Sequence, residues 1–247
     1  MRITVLGLGY VGAVAAAALA RDGHQVVGVD VDPAKVDRYR RAEVPFYEPG
    51  LEELVQEGVA AGRLRFALAQ EVEPGGLGDF VFIAVGTPSR PTGAADLSQV
   101  EAALAWVVEK AGVMPGAAGT AVAAVAAARD DGVDGFRDDG AEGLEAPERD
   151  GVRRGPIVVM KSTVPPGTGR RLAFRYLRPA GLAYVANPEF LREGSAVHDW
   201  FHPDRVVVGS DDRAAAEQVA GLYAGYGAPV LVTDTTTAEM VKYGANA

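Results

Sequence analysis

The stretch MRITVLGLGYVGAVAAAALARDGHQVVGVD, residues 1–30, decides the fold. Residues 3–6 are apolar and end at Gly7, as a buried strand does. Residues 11–21 are Ala-rich with no breaker until Asp22-Gly23, which predicts a helix, and residues 25–29 form a second apolar run that ends on Asp30. Between the first strand and the helix, Gly7, Gly9 and Gly12 fill the pattern G-x-G-x-x-G. Strand–glycine–helix is the context in which that pattern has a mechanism. Gly7 permits a tight turn, Gly9 lets the backbone approach a pyrophosphate, and Gly12 lets helix and strand pack closely. The pyrophosphate then lies on a helix N-terminus, where free N–H groups and the dipole favour an anion. Asp30 stands where an acid accepts bonds from the adenosine ribose and repels a 2′-phosphate, so NAD is favoured over NADP. Lys35, one turn into the next helix, is placed to reach the same ribose.

Outward from this unit the chain alternates strands and helices. Strands are predicted at 64–68, 80–85, 157–160, 183–186, 206–208 and 230–232. Helices are predicted from Pro33 to about Arg41, from Pro49, over the QVEAALAWVVEKAG run capped by Asp96 or Ser98, over 167–177 and 213–223, and from Thr236. Strands separated by helical patterns of this length mean βαβ units. The predicted class is α/β, a Rossmann-like doubly wound parallel sheet with helices on both faces. Residues 112–155, rich in Gly, Ala, Asp and Arg, are too poor in apolar surface for the core and read as a surface insertion.

Composition excludes several functions. The 247 residues carry 24 Lys and Arg against 33 Asp and Glu, a net charge of −9, which argues against a nucleic-acid partner. There is no cysteine, so disulfides, Cys-ligated zinc, iron–sulfur clusters and thiol nucleophiles are excluded within this chain. The apolar N-terminus is punctuated by glycines and followed by a second strand, so it is read as neither signal peptide nor membrane span. A cytosolic location is the default.

In a doubly wound sheet ligands bind beyond the carboxyl ends of the strands. Three polar segments fall there: Gly86-Thr87-Pro88, Lys161 to Gly167 (KSTVPPG), and Asn187 to Gly194 (NPEFLREG). Thr163 offers a hydroxyl at a strand end. Glu189 and Glu193 are four apart and would share a face if that segment formed a helical turn.

Taken together these residues resemble the UDP-glucose/GDP-mannose 6-dehydrogenases. The matching stretches are MRITVLGLGYVG, VVGVDVD, FYEPGLEEL (46–54), FIAVGTP, ADLSQVEAA, VMKSTVPPGT, NPEFLREGSA, HPDRVVVG and EMVKYGANA, in the family's order. Glu193-Gly194 and His202-Pro203-Asp204-Arg205 are more similar to the UDP-glucose branch. The resemblance implies oxidation of a nucleotide sugar at C6 to a carboxylate with two NAD, through an aldehyde and a thioester on a cysteine. It implies that Gly7, Gly9, Tyr10, Val11, Gly12, Asp30, Lys35 and Thr87 hold NAD, with Thr163 and Glu193 between cofactor and reacting carbon. Phe190, Leu191 and Arg192 would line the sugar-nucleotide pocket, Glu189 would act with a water as acid/base, and Lys242 and Asn246 would stabilise an oxyanion. Residues 1–232 would be the NAD-binding domain and 233–247 the start of an interdomain helix. The UDP-binding domain and the cysteine would lie outside this sequence, and a homodimer is implied for the full-length protein. Two alternatives stay open on the residues alone: an NAD-dependent dehydrogenase that needs no thiol, and a nucleotide-binding module without catalysis.

Overall fold

The structure, a computed structural model, describes residues 1–112 and 155–246, without the side chain of Asn246. The insertion expected at 112–155 therefore lies, apart from its two end residues, outside the described residues.

Among the described residues, eight strands form one sheet in the order β3-β2-β1-β4-β5-β6-β7-β8. They are β1 (Arg2–Leu6), β2 (Gln25–Asp30), β3 (Leu64–Leu68), β4 (Phe80–Ile83), β5 (Ile157–Met160), β6 (Ala183–Ala186), β7 (Val206–Gly209) and β8 (Val230–Thr233). The α-helices among the described residues are α1 (Tyr10–Arg21), α2 (Pro33–Arg40), α3 (Leu51–Ala60), α4 (Ser98–Lys110), α5 (Thr168–Leu172), α6 (Ala196–Phe201), α7 (Arg213–Gly221) and α8 (Thr235–Asn246). The central strands are apolar throughout because both faces are covered. Along β4, Phe80 and Phe82 enter the core that packs α1, α3 and α7, while Val81 and Ile83 enter the core under α4. Nearly every residue of α1 is buried, so its run of alanines is what lets the helix lie close on the sheet.

The fold is the predicted Rossmann-like α/β class, with one departure from an all-parallel sheet. Strands β1 to β6 pair in parallel, but β7 meets β6 antiparallel through Ala186 and Gly209, and β8 follows β7. The chain never crosses back between β6 and β7, because the 187–205 connection is tied down at the carboxyl edge by the contacts described below. Local punctuation also shifts. Strand β4 stops at Ile83, and α3 begins after Gly50, which holds a left-handed φ of +78°, not at Pro49. Asp96 accepts from the Ser98 N–H at 3.0 Å and so starts α4, although Leu97 occupies the cap position. After α5 the chain widens into a π-type turn over Ala173–Leu177. Among the described residues no helix is long and apolar enough to cross a membrane.

Candidate functional site

At the carboxyl ends of β1 and β2 lies a cleft of about 550 Å³, lined by Gly7, Gly9, Asp30, Lys35, Gly86 and Trp106 among others. The three glycines differ in what surrounds them. A Cβ on Gly12 would stand 1.8 Å from the Gly7 carbonyl oxygen, and one on Gly7, at φ +93°, 2.7 Å from that of Ala84. Both must be glycine for the turn to close. A Cβ on Gly9 would meet no atom within 4 Å, so the space above it is open to a ligand. No side chain caps α1, which leaves its first N–H groups facing that space. The turn is thus closed beneath and open above, and it fits a dinucleotide pyrophosphate.

Asp30 is buried and organises the rim. Its carboxylate accepts from the N–H of Leu8 at 2.8 Å, the N–H of Asp32 at 3.0 Å and the Lys35 ammonium at 2.9 Å. Burial pushes its pKa up, but these donors outweigh burial and hold it below the ordinary carboxylate range. Lys35 therefore stands at the cleft rim paired with Asp30. Beside them Val31 is exposed in the cleft wall.

A second cleft of about 400 Å³ opens past β5 and β6. Lys242, on α8, reaches Glu189 at 3.0 Å. The other oxygen of Glu189 accepts from the Leu191 N–H at 2.7 Å. The Phe190 ring lies between the Arg205 guanidinium, 4.6 Å from its centroid, and the Lys242 ammonium at 5.4 Å. Thr87 and Thr163 are brought together: the Thr87 hydroxyl donates to the Thr163 carbonyl at 2.9 Å. Thr163, Glu239 and Lys242 line a small crevice between the two clefts. The Arg192 side chain, 76% exposed, is held bidentate by Asp199 rather than aimed inward. That pairing, with burial opposing it, draws the Asp199 carboxyl down to about 2. Val11 sits in the first turn of α1, and Asn246 ends α8 one turn past Lys242, its side chain outside the described residues.

The sharing of one helical face by Glu189 and Glu193 is not found. Residues 187–195 are irregular, with Gly194 at φ +85° and backbone N–H groups taken by carboxylates in place of helical carbonyls. Glu189 turns in to Lys242 and Glu193 is exposed.

Four buried groups were given no role of their own by the sequence reading. Glu48 accepts from the Gly194 N–H at 2.8 Å, the Val197 N–H at 3.2 Å and the Tyr10 hydroxyl. Burial and this carboxylate push the Tyr10 phenol up to about 12, so it stays a donor. The Lys161 ammonium donates to the Asn187 carbonyl at 3.2 Å and side-chain oxygen at 3.1 Å. Burial draws Lys161 down to about 8, and the nearby Glu189 carboxylate partly restores it. Asn187 in turn accepts from the Tyr223 hydroxyl at 2.5 Å and donates to the Val207 carbonyl at 2.8 Å. Glu239 accepts from the N–H groups of Gly167 and Gly169 at 2.7 and 2.8 Å, and burial pushes its carboxyl up to about 7. All four lie in stretches that the motifs cover, but burial of a charge is a tertiary property with no local signature.

Residues 1–132 and 149–226 match a family model described as the UDP-glucose/GDP-mannose dehydrogenase family, NAD binding domain. The UDP-glucose 6-dehydrogenase YwqF of Bacillus subtilis is 36% identical over 253 residues, covering 100% of this chain and 48% of its own length. A GDP-mannose 6-dehydrogenase of Pseudomonas syringae is 35% identical over 257 residues, covering 100% and 49%. Among solved structures, a UDP-glucose dehydrogenase from Pyrobaculum islandicum superposes with a TM-score of 0.77 at 40% identity, covering 99% of this chain and 49% of the other. A ternary complex of GDP-mannose dehydrogenase from Pseudomonas aeruginosa gives 0.77 at 31% identity, covering 100% and 49%. The chain spans about half the length of the curated relatives it matches.

Proposed function

The chain belongs to the UDP-glucose/GDP-mannose dehydrogenase family, and on that premise we propose that it is the cofactor-holding part of a nucleotide-sugar 6-dehydrogenase that converts UDP-glucose to UDP-glucuronate. The observation that carries this is the pair of clefts, an open glycine turn with a buried Asp30 beside a Lys242–Glu189 pair. NAD, when bound, supplies the acceptor for hydride from C6. The chain's own residues do the rest. The N-terminus of α1 binds the pyrophosphate, and Asp30, with Lys35 neutralising part of its charge, holds the adenosine ribose.

Thr87 and Thr163, joined by their hydrogen bond, would stand with Glu193 between cofactor and reacting carbon. Glu189, held in place by the Leu191 N–H and Lys242, orients a water and moves its proton. Lys242 and Asn246, four residues apart on α8, would by the family resemblance stabilise a developing oxyanion. Phe190, Leu191 and Arg192 border the sugar nucleotide. UDP-glucose is chosen over GDP-mannose on Glu193-Gly194 and His202 to Arg205, since relatives of both kinds match at nearly equal identity. A cytosolic location and a homodimer of the full-length protein belong to the same proposal. Oxidation to the acid through a thioester needs a thiolate, and these 247 residues contain no cysteine.

The test is NADH absorbance with UDP-glucose and NAD, the sugar product being identified by mass. The 247-residue chain alone is expected to make no UDP-glucuronate, and the whole gene product that contains it to reduce two NAD per UDP-glucose. UDP-glucuronate made by the isolated chain would overturn the thioester route, and turnover only of another sugar nucleotide would overturn the choice of substrate.

A further inference from the structure

Glu48 belongs to neither cleft, yet it is 5% exposed and its two oxygens serve both sides of the molecule. One accepts from the Tyr10 hydroxyl and from the Gly194 N–H at 2.8 Å, and the other accepts from the Val197 N–H at 3.2 Å. The Gly194 N–H also lies 2.8 Å from the Tyr10 oxygen. Tyr10 is the first residue of α1, directly after Gly9, and its ring packs on Phe46 at 5.2 Å. Gly194 and Val197 lie on the segment that follows Glu189 to Arg192. We infer that Glu48 is a positioning residue that couples occupation of the glycine turn to the order of the 190–197 segment.

The argument rests on connectivity. The hydrogen bonds of residues 191–195 otherwise close on the segment itself or on its near neighbour α6, through Glu189 to Leu191 and through Asp199 to Arg192 and Ser195. Among the described residues, their hydrogen bonds to more distant parts of the chain run to Tyr10 and Glu48. Gly194, at φ +85°, has no Cβ to add packing, so its opening is governed by those bonds. An anion on the N-terminus of α1 engages the backbone of the first turn, Tyr10 included, and so holds the phenol that orients Glu48. A bond between a carboxylate and a backbone N–H is among the stronger kinds. Whatever orders Tyr10 thereby disfavours opening of the segment, and linkage requires the converse.

This inference rests on the dinucleotide reading of the glycine turn, and the experiment separates the two. NADH binding to the 247-residue chain is followed by fluorescence, and amide exchange of residues 190–197 is read with and without NADH. In the wild type NADH should slow exchange at Gly194 and Val197 about tenfold, the size of one hydrogen bond to a charged acceptor. In Glu48→Gln, which is near-isosteric, and in Glu48→Ala, NADH should still bind but leave those rates unmoved. A merely structural Glu48 would raise the rates in the variants and keep their response to NADH, which would overturn the coupling. Bound NADH with no response in the wild type would overturn it equally. A wild-type chain that fails to bind NADH would overturn the dinucleotide reading itself, and the coupling with it.

Discussion

Asp30 does two things with one carboxylate. It closes the glycine turn by accepting from the N–H groups of Leu8 and Asp32, and it presents negative charge where a ribose would lie. Asp30→Ala should therefore lower both stability and NADH affinity, each by about 1–3 kcal/mol, the range for losing a hydrogen bond to a charged group. It should also bring NADPH affinity closer to that for NADH, because the repulsion of a 2′-phosphate is gone and Lys35 is released. Parallel titrations of both cofactors check this, and an unchanged preference would show that Asp30 does not face the ribose. Asp30 was legible in the sequence because its role depends on a short spacing within one βαβ unit. Glu48 was not, because its partners lie at Tyr10 and at 194–197, and no local pattern brings those together. Arg192 shows the opposite failure: its place in a motif was visible, but its capture by Asp199 was not.

Among the elements, α8 is the one whose placement decides the second cleft. Its residue Glu239 enters the 161–169 segment and accepts from Gly167 and Gly169. A Cβ on Gly169 would stand 2.4 Å from a Glu239 oxygen, so that seat exists only because residue 169 is glycine. One turn further, the helix delivers Lys242 to Glu189. Burial raises Glu239 from an ordinary 4.5 to about 7, so the folded state holds this proton more tightly than the unfolded chain. The stability it contributes is full below about 4.5 and is lost as pH rises through about 7. Denaturant unfolding of the wild type against Glu239→Gln should show that difference shrinking between these two pH values. A difference that is constant or grows across that window would contradict the seat as described. The alternation of strands and helices, and β8 and α8 among them, could be read from periodicity. The reversal at β7 could not, since a strand's direction is set by where the preceding connection is anchored, and here the anchors are Tyr10, Glu48, Asp199 and Lys242.

At the scale of the whole molecule, the six parallel strands bring an open glycine turn and an acid–lysine pair to one edge of a sheet. The chain covers its relatives' dinucleotide domain and about half their length, so cofactor binding is the property these residues should show by themselves. Gly9 allows the most direct measurement. Its φ of −73° suits any residue, and an added Cβ meets no atom of the surrounding protein within 4 Å. Gly9→Val should therefore fold and melt like the wild type while filling the space a pyrophosphate needs. Titration of NADH into both proteins, with thermal unfolding as the control, is the decisive experiment. Saturable binding by the wild type and its loss in a normally folded Gly9→Val is the predicted result; equal affinity in the two proteins would contradict it.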